Sequence, residues 1–468
     1  MRTMSASIDR LSSLDRLMLG ASKRWPQDIG ALAILDGTSL LDPTGELRID
    51  AVREAIASRL HLVPRFRQVI RTPGRGLGGP LWVDAPRFDV RDHVVVRPLA
   101  PGTDDAGLLA VTEELRSQRF DPSRPLWRMW FMPGLPGGRV AMFVKLHHSI
   151  ADGMAAMTTI AAFLDTDPET PVTPARPWTP TPPPSERDLF IDNLRRHLRA
   201  VGRAGSMLHR PGTTLRHARE AWPAIRELLA EEPATRTSLD RMVGPDRSLA
   251  VIRTTLDEIK AVAHAHGATV NDVLLALTAG GLRTVLRSRR EPVEGTTVRT
   301  YVPVSLRPRV GGPQQGNLIA QMAVPLAMRG SDAGDELRRI AAETARRKAR
   351  ARTSLGTLIR GRLVRRLMLV AVMRQRVNVT TASIPGPRVP LSLAGARVLE
   401  VFPLLPLIAN EPLGVGALSY AGAFNIGVVA DRDTCPDLDV FAAGMRDELQ
   451  ALGLRSSPEP LVASERRG

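Results

Sequence analysis

The chain has 468 residues, 43% of them hydrophobic, enough for two globular domains with cores of their own. Its formal charge of +16 is carried almost wholly by arginine, since lysine occurs only at Lys23, Lys145, Lys260 and Lys348. The lone Cys435 excludes an internal disulfide and a cysteine-built metal site, and a reducing cytoplasm fits it.

Arginine excess has two readings: the composition of a high-GC genome, or attraction to something anionic such as nucleic acid, membrane headgroups or a phosphorylated cofactor. Nucleic acid is the weakest of these. No zinc-finger spacing, basic zipper or RNP-like aromatic pattern accompanies the charge.

Residues 1–165 read as a mixed α/β unit. The first nineteen mix Arg2, Asp9, Arg10, Asp15 and Arg16 into their apolar residues, unlike a signal peptide. The longest clean apolar runs, such as 367–373, are too short to span a bilayer. The expectation is a cytoplasmic protein that meets membrane only at its surface. Residues 49–60 have helical spacing. Residues 126–132 and 139–147, joined by Pro133-Gly134-Leu135-Pro136-Gly137-Gly138, read as a β-hairpin. In its second arm Val140, Met142, Val144 and Leu146 share one face, and Ala141, Phe143, Lys145 and His147 the other. Both faces are largely apolar, as in a central strand. An apolar helix follows over 154–164.

Residues 166–235 read as a linker. Pro168, Pro171, Pro174, Pro177, Pro180, Pro182, Pro183 and Pro184 make its first part extended, and a polar, arginine-rich helical region follows, broken at Pro211-Gly212. Residues 236–468 form a second α/β unit. A helix over 256–265 stops at Gly267. Asn271 or Asp272 is placed to cap the next helix, which runs to about 287. Strands are expected at 297–304, 320–325, 377–383, 397–401, 416–420 and 423–430. The last two are joined too tightly for anything but a hairpin. A basic helical stretch covers 335–375, and a helix over 437–452 ends the unit.

Chemistry concentrates at His147-His148-Ser149-Ile150-Ala151-Asp152-Gly153, a His-His-x-x-x-Asp-Gly pattern at a strand-to-helix turn. Neighbouring residues at a strand end point to opposite faces, so His147 and His148 cannot both address one substrate atom. The same divergence, with no third ligand at zinc spacing, excludes a metal site. Gly153 permits a sharp turn and close backbone approach. Acyl transfer needs a base for the attacking hydroxyl and an acid for the leaving thiolate, and one histidine can serve as both in turn. No Gly-x-Ser-x-Gly elbow exists; Gly416-Ala417-Leu418-Ser419-Tyr420 has the wrong spacing. Direct transfer without a covalent intermediate is therefore favoured.

At these residues the chain resembles the bacterial wax ester synthase/diacylglycerol acyltransferase family, within the chloramphenicol acetyltransferase-like superfamily. The likeness runs in order through Leu14-Asp15, Phe88 to Val94, Arg124-Pro125-Leu126-Trp127, His147 to Gly153, Asn271 to Ala276, Val302 to Arg307, Ile384-Pro385-Gly386-Pro387, Ser419-Tyr420 and Asp431. It implies two α/β sandwich domains with a channel between them, and acyl-CoA as co-substrate with no bound cofactor. Diacylglycerol or a long-chain alcohol would be the acceptor. It implies that His148 is the base, with His147, Asp152 and Gly153 supporting it, and that Pro125, Leu126 and Trp127 accommodate substrate. Asn271 and Asp272 are linked to activity by the resemblance, though a helix cap explains them as well. Arg307 is the partner it suggests for a buried Asp152. The family usually carries an Asn before Pro-Gly-Pro. This chain has Ala382-Ser383-Ile384, so the donor contacts there differ: Ser383 can still donate a hydrogen bond, with a shorter reach than Asn toward an oxyanion.

Two other readings compete: an acyltransferase of the same superfamily acting on another alcohol or amine, and a non-catalytic protein coating lipid surfaces. The basic stretch 338–376, with Arg346, Arg347, Lys348, Arg350 and Arg352 and then Arg360, Arg362, Arg365 and Arg366 beside apolar 367–372, has the composition of an interfacial helix on anionic membrane or a lipid droplet. An ordinary solvated helix has the same composition.

Overall fold

The computed structural model describes residues 8–22, 24–151, 153–208, 235–305, 319–329, 332–358 and 377–456. Its strands are β1 Asp28–Leu35, β2 Gln68–Arg71, β3 Leu81–Asp84, β4 Val94–Val96, β5 Trp127–Pro133, β6 Val140–His147, β7 Arg247–Thr255, β8 Thr297–Ser305, β9 Ile319–Ala327, β10 Val379–Pro385, β11 Ser392–Leu393, β12 Ala396–Leu404, β13 Leu413–Tyr420 and β14 Ala423–Asp431. Its helices are α1 Ser13–Ala21, α2 Ile49–Arg59, α3 Asp105–Ser117, α4 Gly153–Ala161, α5 Glu186–Leu208, α6 Leu256–Ala265, α7 Val270–Ser288, α8 Ala333–Leu358 and α9 Leu438–Ala451.

Two six-stranded sheets carry the molecule, in the orders β11-β12-β1-β6-β5-β4 and β7-β14-β13-β10-β8-β9. The hairpins expected from the sequence are present: β5 pairs antiparallel with β6 from Trp127↔Leu146 to Pro133↔Val140, and β13 with β14 from Leu413↔Ala430 to Tyr420↔Ala423. β6 lies inside its sheet, between β1 and β5, which is why both its faces are apolar. Val140, Met142, Val144 and Leu146 pack with α2 and α4 in one core, while Ala141 and Phe143 pack with α3 in another. The second sheet covers its outer face with α6, α7, α8 and α9 through a core that includes Ile259, Leu274, Leu282, Leu337 and Phe441.

The boundary expected at 236 does not separate the two sheets. β11 and β12 lie deep in the second half of the sequence but belong to the first sheet, where β12 pairs antiparallel with β1 from Gly30↔Leu404. The strand expected at 397–401 is there, with a partner about 370 residues earlier in the chain, and no local pattern could announce it. β12 also lies against the second sheet. A Cβ on Gly427 would stand 2.3 Å from the Pro403 carbonyl oxygen, and one on Gly416 would stand 3.1 Å from it. At Gly427 only glycine lets the two backbones approach so closely, while at Gly416 a side chain would need Pro403 to give by a few tenths of an ångström. Beside this seam Arg253 on β7 donates to Glu400 on β12 at 2.7 and 3.1 Å and to Asp105, in the first turn of α3, at 2.6 Å. Burial raises the Glu400 carboxyl above its usual range and the guanidinium opposes that shift. The pair thus ties both halves together at a desolvated point, where losing one partner costs far more than the pair contributes.

One correction concerns α7. Its N-cap is Thr269, ahead of the expected Asn271 or Asp272. Asp272 is the reciprocal member of a capping box: its Oδ2 accepts from the Thr269 amide at 2.8 Å and hydroxyl at 2.7 Å, while the Thr269 hydroxyl accepts from the Asp272 amide at 3.3 Å.

Candidate active site

The β6 strand delivers the two histidines to the junction of the sheets. The His147 amide donates to the Leu126 carbonyl at 2.9 Å, the His148 amide to the Gln27 carbonyl at 2.8 Å, and the Ile150 amide closes the turn onto the His147 carbonyl at 2.9 Å. α4 begins at Gly153, the strand-to-helix turn that the motif implied. Ala151, Ala156 and Ile160 share an apolar cluster with Ile384, Leu418 and Tyr420 of the second sheet, so the turn is roofed by both halves of the chain.

The two imidazoles have different surroundings. His147 is 4% exposed, and both of its ring nitrogens are engaged. Its Nε2 lies 2.6 Å from the Ser22 hydroxyl, just past the end of α1, and its Nδ1 lies 2.7 Å from the Ser149 hydroxyl. The Ser149 amide also donates to Nδ1, at 3.1 Å. That last bond fixes the tautomer. Nδ1 must be bare to accept an N–H, so Nε2 carries the proton and donates it to Ser22, whose own proton goes to the Met18 carbonyl at 2.9 Å. Burial holds the His147 pKa below its ordinary value, which suits a neutral ring. Bonded at both nitrogens, His147 cannot take a proton from a substrate without breaking its own network. His148, one residue on, is half-buried.

Beneath the pair, Lys145 is 1% exposed. Its ammonium pairs with Asp28 at 3.1 Å and donates to the Arg116 carbonyl at 2.9 Å and to the Gln118 carbonyl. Asp28 stands directly opposite His147 on β1. Burial lowers the Lys145 pKa and Asp28 opposes the shift. These contacts anchor the end of α3 and the floor of the site. Ser22, Asp28 and Lys145 carry no local signal in the sequence, because their partners lie far away in the chain. Ser149 was visible only as an unspecified position of the motif.

Pro125, Leu126 and Trp127 are brought to the site by that Leu126 carbonyl. All three are buried. Trp127 stacks between Phe66, at 4.4 Å, and His93, at 4.6 Å, and donates from its indole to the Phe66 carbonyl at 2.8 Å. In this structure the ring is a strut beneath the His147 strand.

Ser383 lies on β10 beside Ala417 of β13, next to Ile384 of the shared cluster. The Pro-Gly-Pro segment after it docks on β13 through the Gly386 amide and Ser419 hydroxyl at 3.2 Å, and the Ala421 amide and Pro387 carbonyl at 3.0 Å. Tyr420 bonds the Leu391 amide at 2.7 Å and the Val398 carbonyl at 2.9 Å, so the segments around Pro385 and Ser419 form one corner. Asp431 is fully buried and accepts from Gly244, Thr434 and Arg247, which makes it the centre of a structural corner. Asn271 is half-buried; Asp272 is 2% exposed, with its second oxygen accepting from Thr344 of α8 at 2.7 Å. Asp152 and Arg307, expected to pair, lie outside the described residues.

Two mixed sheets thus meet over the turn that carries His147 and His148. The wax ester synthase/diacylglycerol acyltransferase catalytic domain matches residues 11–274, and the C-terminal domain of that family matches 315–453. A protein of Mycobacterium tuberculosis named "probable diacylglycerol O-acyltransferase tgs1" is 30% identical over 448 residues, covering 91% of this chain and 90% of its own. The wax ester synthase/diacylglycerol acyltransferase from Marinobacter aquaeolei VT8 superposes with a TM-score of 0.66 at 23% identity, over 95% of this chain and 100% of that one. The first condensation domain of the CDA synthetase shares the fold with a TM-score of 0.60 at 16% identity, over 96% of each chain. The chain belongs to the wax ester synthase/diacylglycerol acyltransferase family, and it is an acyltransferase.

Proposed function

We propose that this acyltransferase moves a fatty acyl group from acyl-CoA to the free hydroxyl of diacylglycerol, giving triacylglycerol and CoA, with His148 as general base. The observation that supports the choice within the motif is the engagement of both His147 nitrogens, which makes His147 the poorer candidate for the base. An imidazole nitrogen of His148 takes the proton of the acceptor hydroxyl as its oxygen attacks the thioester carbonyl. The tetrahedral centre collapses, the C–S bond breaks, and the imidazolium returns the proton to the leaving sulfur. Ser383 is the oxyanion donor suggested by its place beside the Pro-Gly-Pro corner. A fatty alcohol reacting in the same way would give a wax ester, and the family's description covers both products. A lipid acceptor implies contact with a membrane or lipid droplet; among the described residues, no helix is long and apolar enough to cross a membrane.

The test is release of CoA thiol from acyl-CoA with diacylglycerol, fatty alcohols and short alcohols as acceptors, followed by lipid chromatography. Cys435 does not confuse the readout, because burial pushes its thiol up to about 12. His148→Ala should lower turnover by about two to four powers of ten. Equal, mild losses for His148→Ala and His147→Ala would overturn the base assignment. No CoA release with any acceptor would favour a non-catalytic lipid-surface protein.

A further inference from the structure

Nine large apolar side chains are exposed among the described residues, and four of them lie on α5: Phe190, Leu194, Leu198 and Val201. Their spacing of 4, 4 and 3 residues puts them in one stripe about 16 Å long. Leu198 is 62% and Val201 69% exposed. The start of the helix is fastened to the body: Leu189 is fully buried, Asp192 pairs with Arg10 at 2.7 Å, and the Asn193 amide donates to the Gly76 carbonyl at 2.7 Å. From Leu194 to Gly202 every side chain is exposed. Arg195, Arg196 and Arg199 fall on the half of the helix away from the stripe, and Arg187 lies beside its beginning. Among the described residues none of these four forms an ion pair.

The basic stretch of α8, the other candidate for lipid contact, differs. Arg338, Arg339, Arg346 and Arg347 are paired with Asp335, Glu336 and Glu343 on the same helix, and Arg347 also donates to the Ala323 carbonyl at 2.9 Å. The stretch beyond 358 lies outside the described residues, as do the side chains from 350.

We infer that α5 is a membrane-docking helix, which lays Phe190, Leu194, Leu198 and Val201 into the surface of an anionic phospholipid bilayer while its arginines meet the headgroups. An apolar stripe backed by cations, on a helix too polar to span, is the physical form of an interfacial anchor. The inference rests on the reading that the acceptor is a bilayer lipid, since such an acceptor is reached only by an enzyme held at the surface. Unpaired arginines select an anionic surface over a second copy of this basic chain, which carries a net +16.

The experiment is co-sedimentation of the full chain with phosphatidylcholine vesicles, with and without phosphatidylglycerol, at low and high salt. The wild type should bind the anionic vesicles and release as salt rises. Leu194→Ser/Leu198→Ser should weaken binding at least about tenfold. Arg195→Glu/Arg199→Glu should weaken it about tenfold at low salt, with the difference shrinking at high salt. Both pairs are exposed, so the melting temperature should hold. CoA release with a water-soluble alcohol should also hold, and that assay reports the acyltransferase reading separately from docking. Absence of binding to anionic vesicles at low salt, or binding indifferent to both double variants, overturns the inference. So does a wild-type dimer that Leu194→Ser/Leu198→Ser converts to monomer without any vesicle binding, since the stripe would then cover a second copy.

Discussion

Replacement of His147 by alanine separates positioning from proton transfer. The ring makes three bonds, at 2.6, 2.7 and 3.1 Å, in a place 4% exposed. At about 1 kcal/mol net for each bond, with a further 1–3 kcal/mol for the buried Ser149 left without its ring partner, His147→Ala should cost roughly 4 kcal/mol of stability. The pH response has a defined sign. Burial lowers the folded-state pKa of His147 below the ordinary 6.5. As the pH falls below about 6.5 the unfolded chain binds a proton that the folded chain refuses. This contribution is therefore fully present above that pH and is lost on acidification. Urea unfolding of wild type and His147→Ala across pH 5 to 8 should show the gap between them narrowing toward acid. Turnover of the folded variant should fall less than that of His148→Ala. A His147→Ala protein as stable as wild type at pH 8, yet as inactive as His148→Ala, would refute the positioning role.

The Glu411 carboxyl is pushed up to about 7 by burial, with Thr380 donating to it in partial compensation. Its stabilising share is full below about pH 4.5 and is lost as the pH rises through 7, on the order of 3 kcal/mol, so Glu411→Gln should flatten that slope in pH-dependent melting and exceed wild type above pH 7. Gly427→Ala drives a methyl to 2.3 Å from the Pro403 oxygen, and chemical denaturation should show a loss of about 3 kcal/mol; an unchanged midpoint would mean the seam yields freely. Asp272→Ala removes the capping box and the Thr344 bond together and should cost about 2–4 kcal/mol, with activity per folded molecule largely kept. Loss of activity at unchanged melting temperature would instead give Asp272 a part in the chemistry.

Local chemistry made parts of this protein readable. The alternation along 140–147 forecast which side chains enter which core, and the tight link between β13 and β14 allowed only a hairpin. The His-His-x-x-x-Asp-Gly pattern located the turn where the sheets meet. Elsewhere the signal was ambiguous or nonlocal. Both Asn271 and Asp272 are good capping residues, and only the geometry reveals that Thr269 takes the cap while Asp272 returns the bond. The run Asp-Ile-Gly-Ala-Leu-Ala-Ile-Leu of β1 is too short and uniformly apolar to distinguish strand from buried helix by period. The Ser22–His147 bond spans 125 residues, and no spacing rule reaches that far.

The insertion of β12 beside β1 also dictates an order of synthesis. The ribosome releases β1, β5 and β6 long before residues 396–404 exist, and until then β1 is the open edge of its sheet. Its N–H and C=O groups and its run of apolar residues are then available to any passing strand. Closure of that edge comes only after β12, Ala396–Leu404, has been made, more than 350 residues after β1. The sheet of the first half therefore carries an unpaired edge while it emerges, and only the later chain or a transient partner such as a chaperone can cover it.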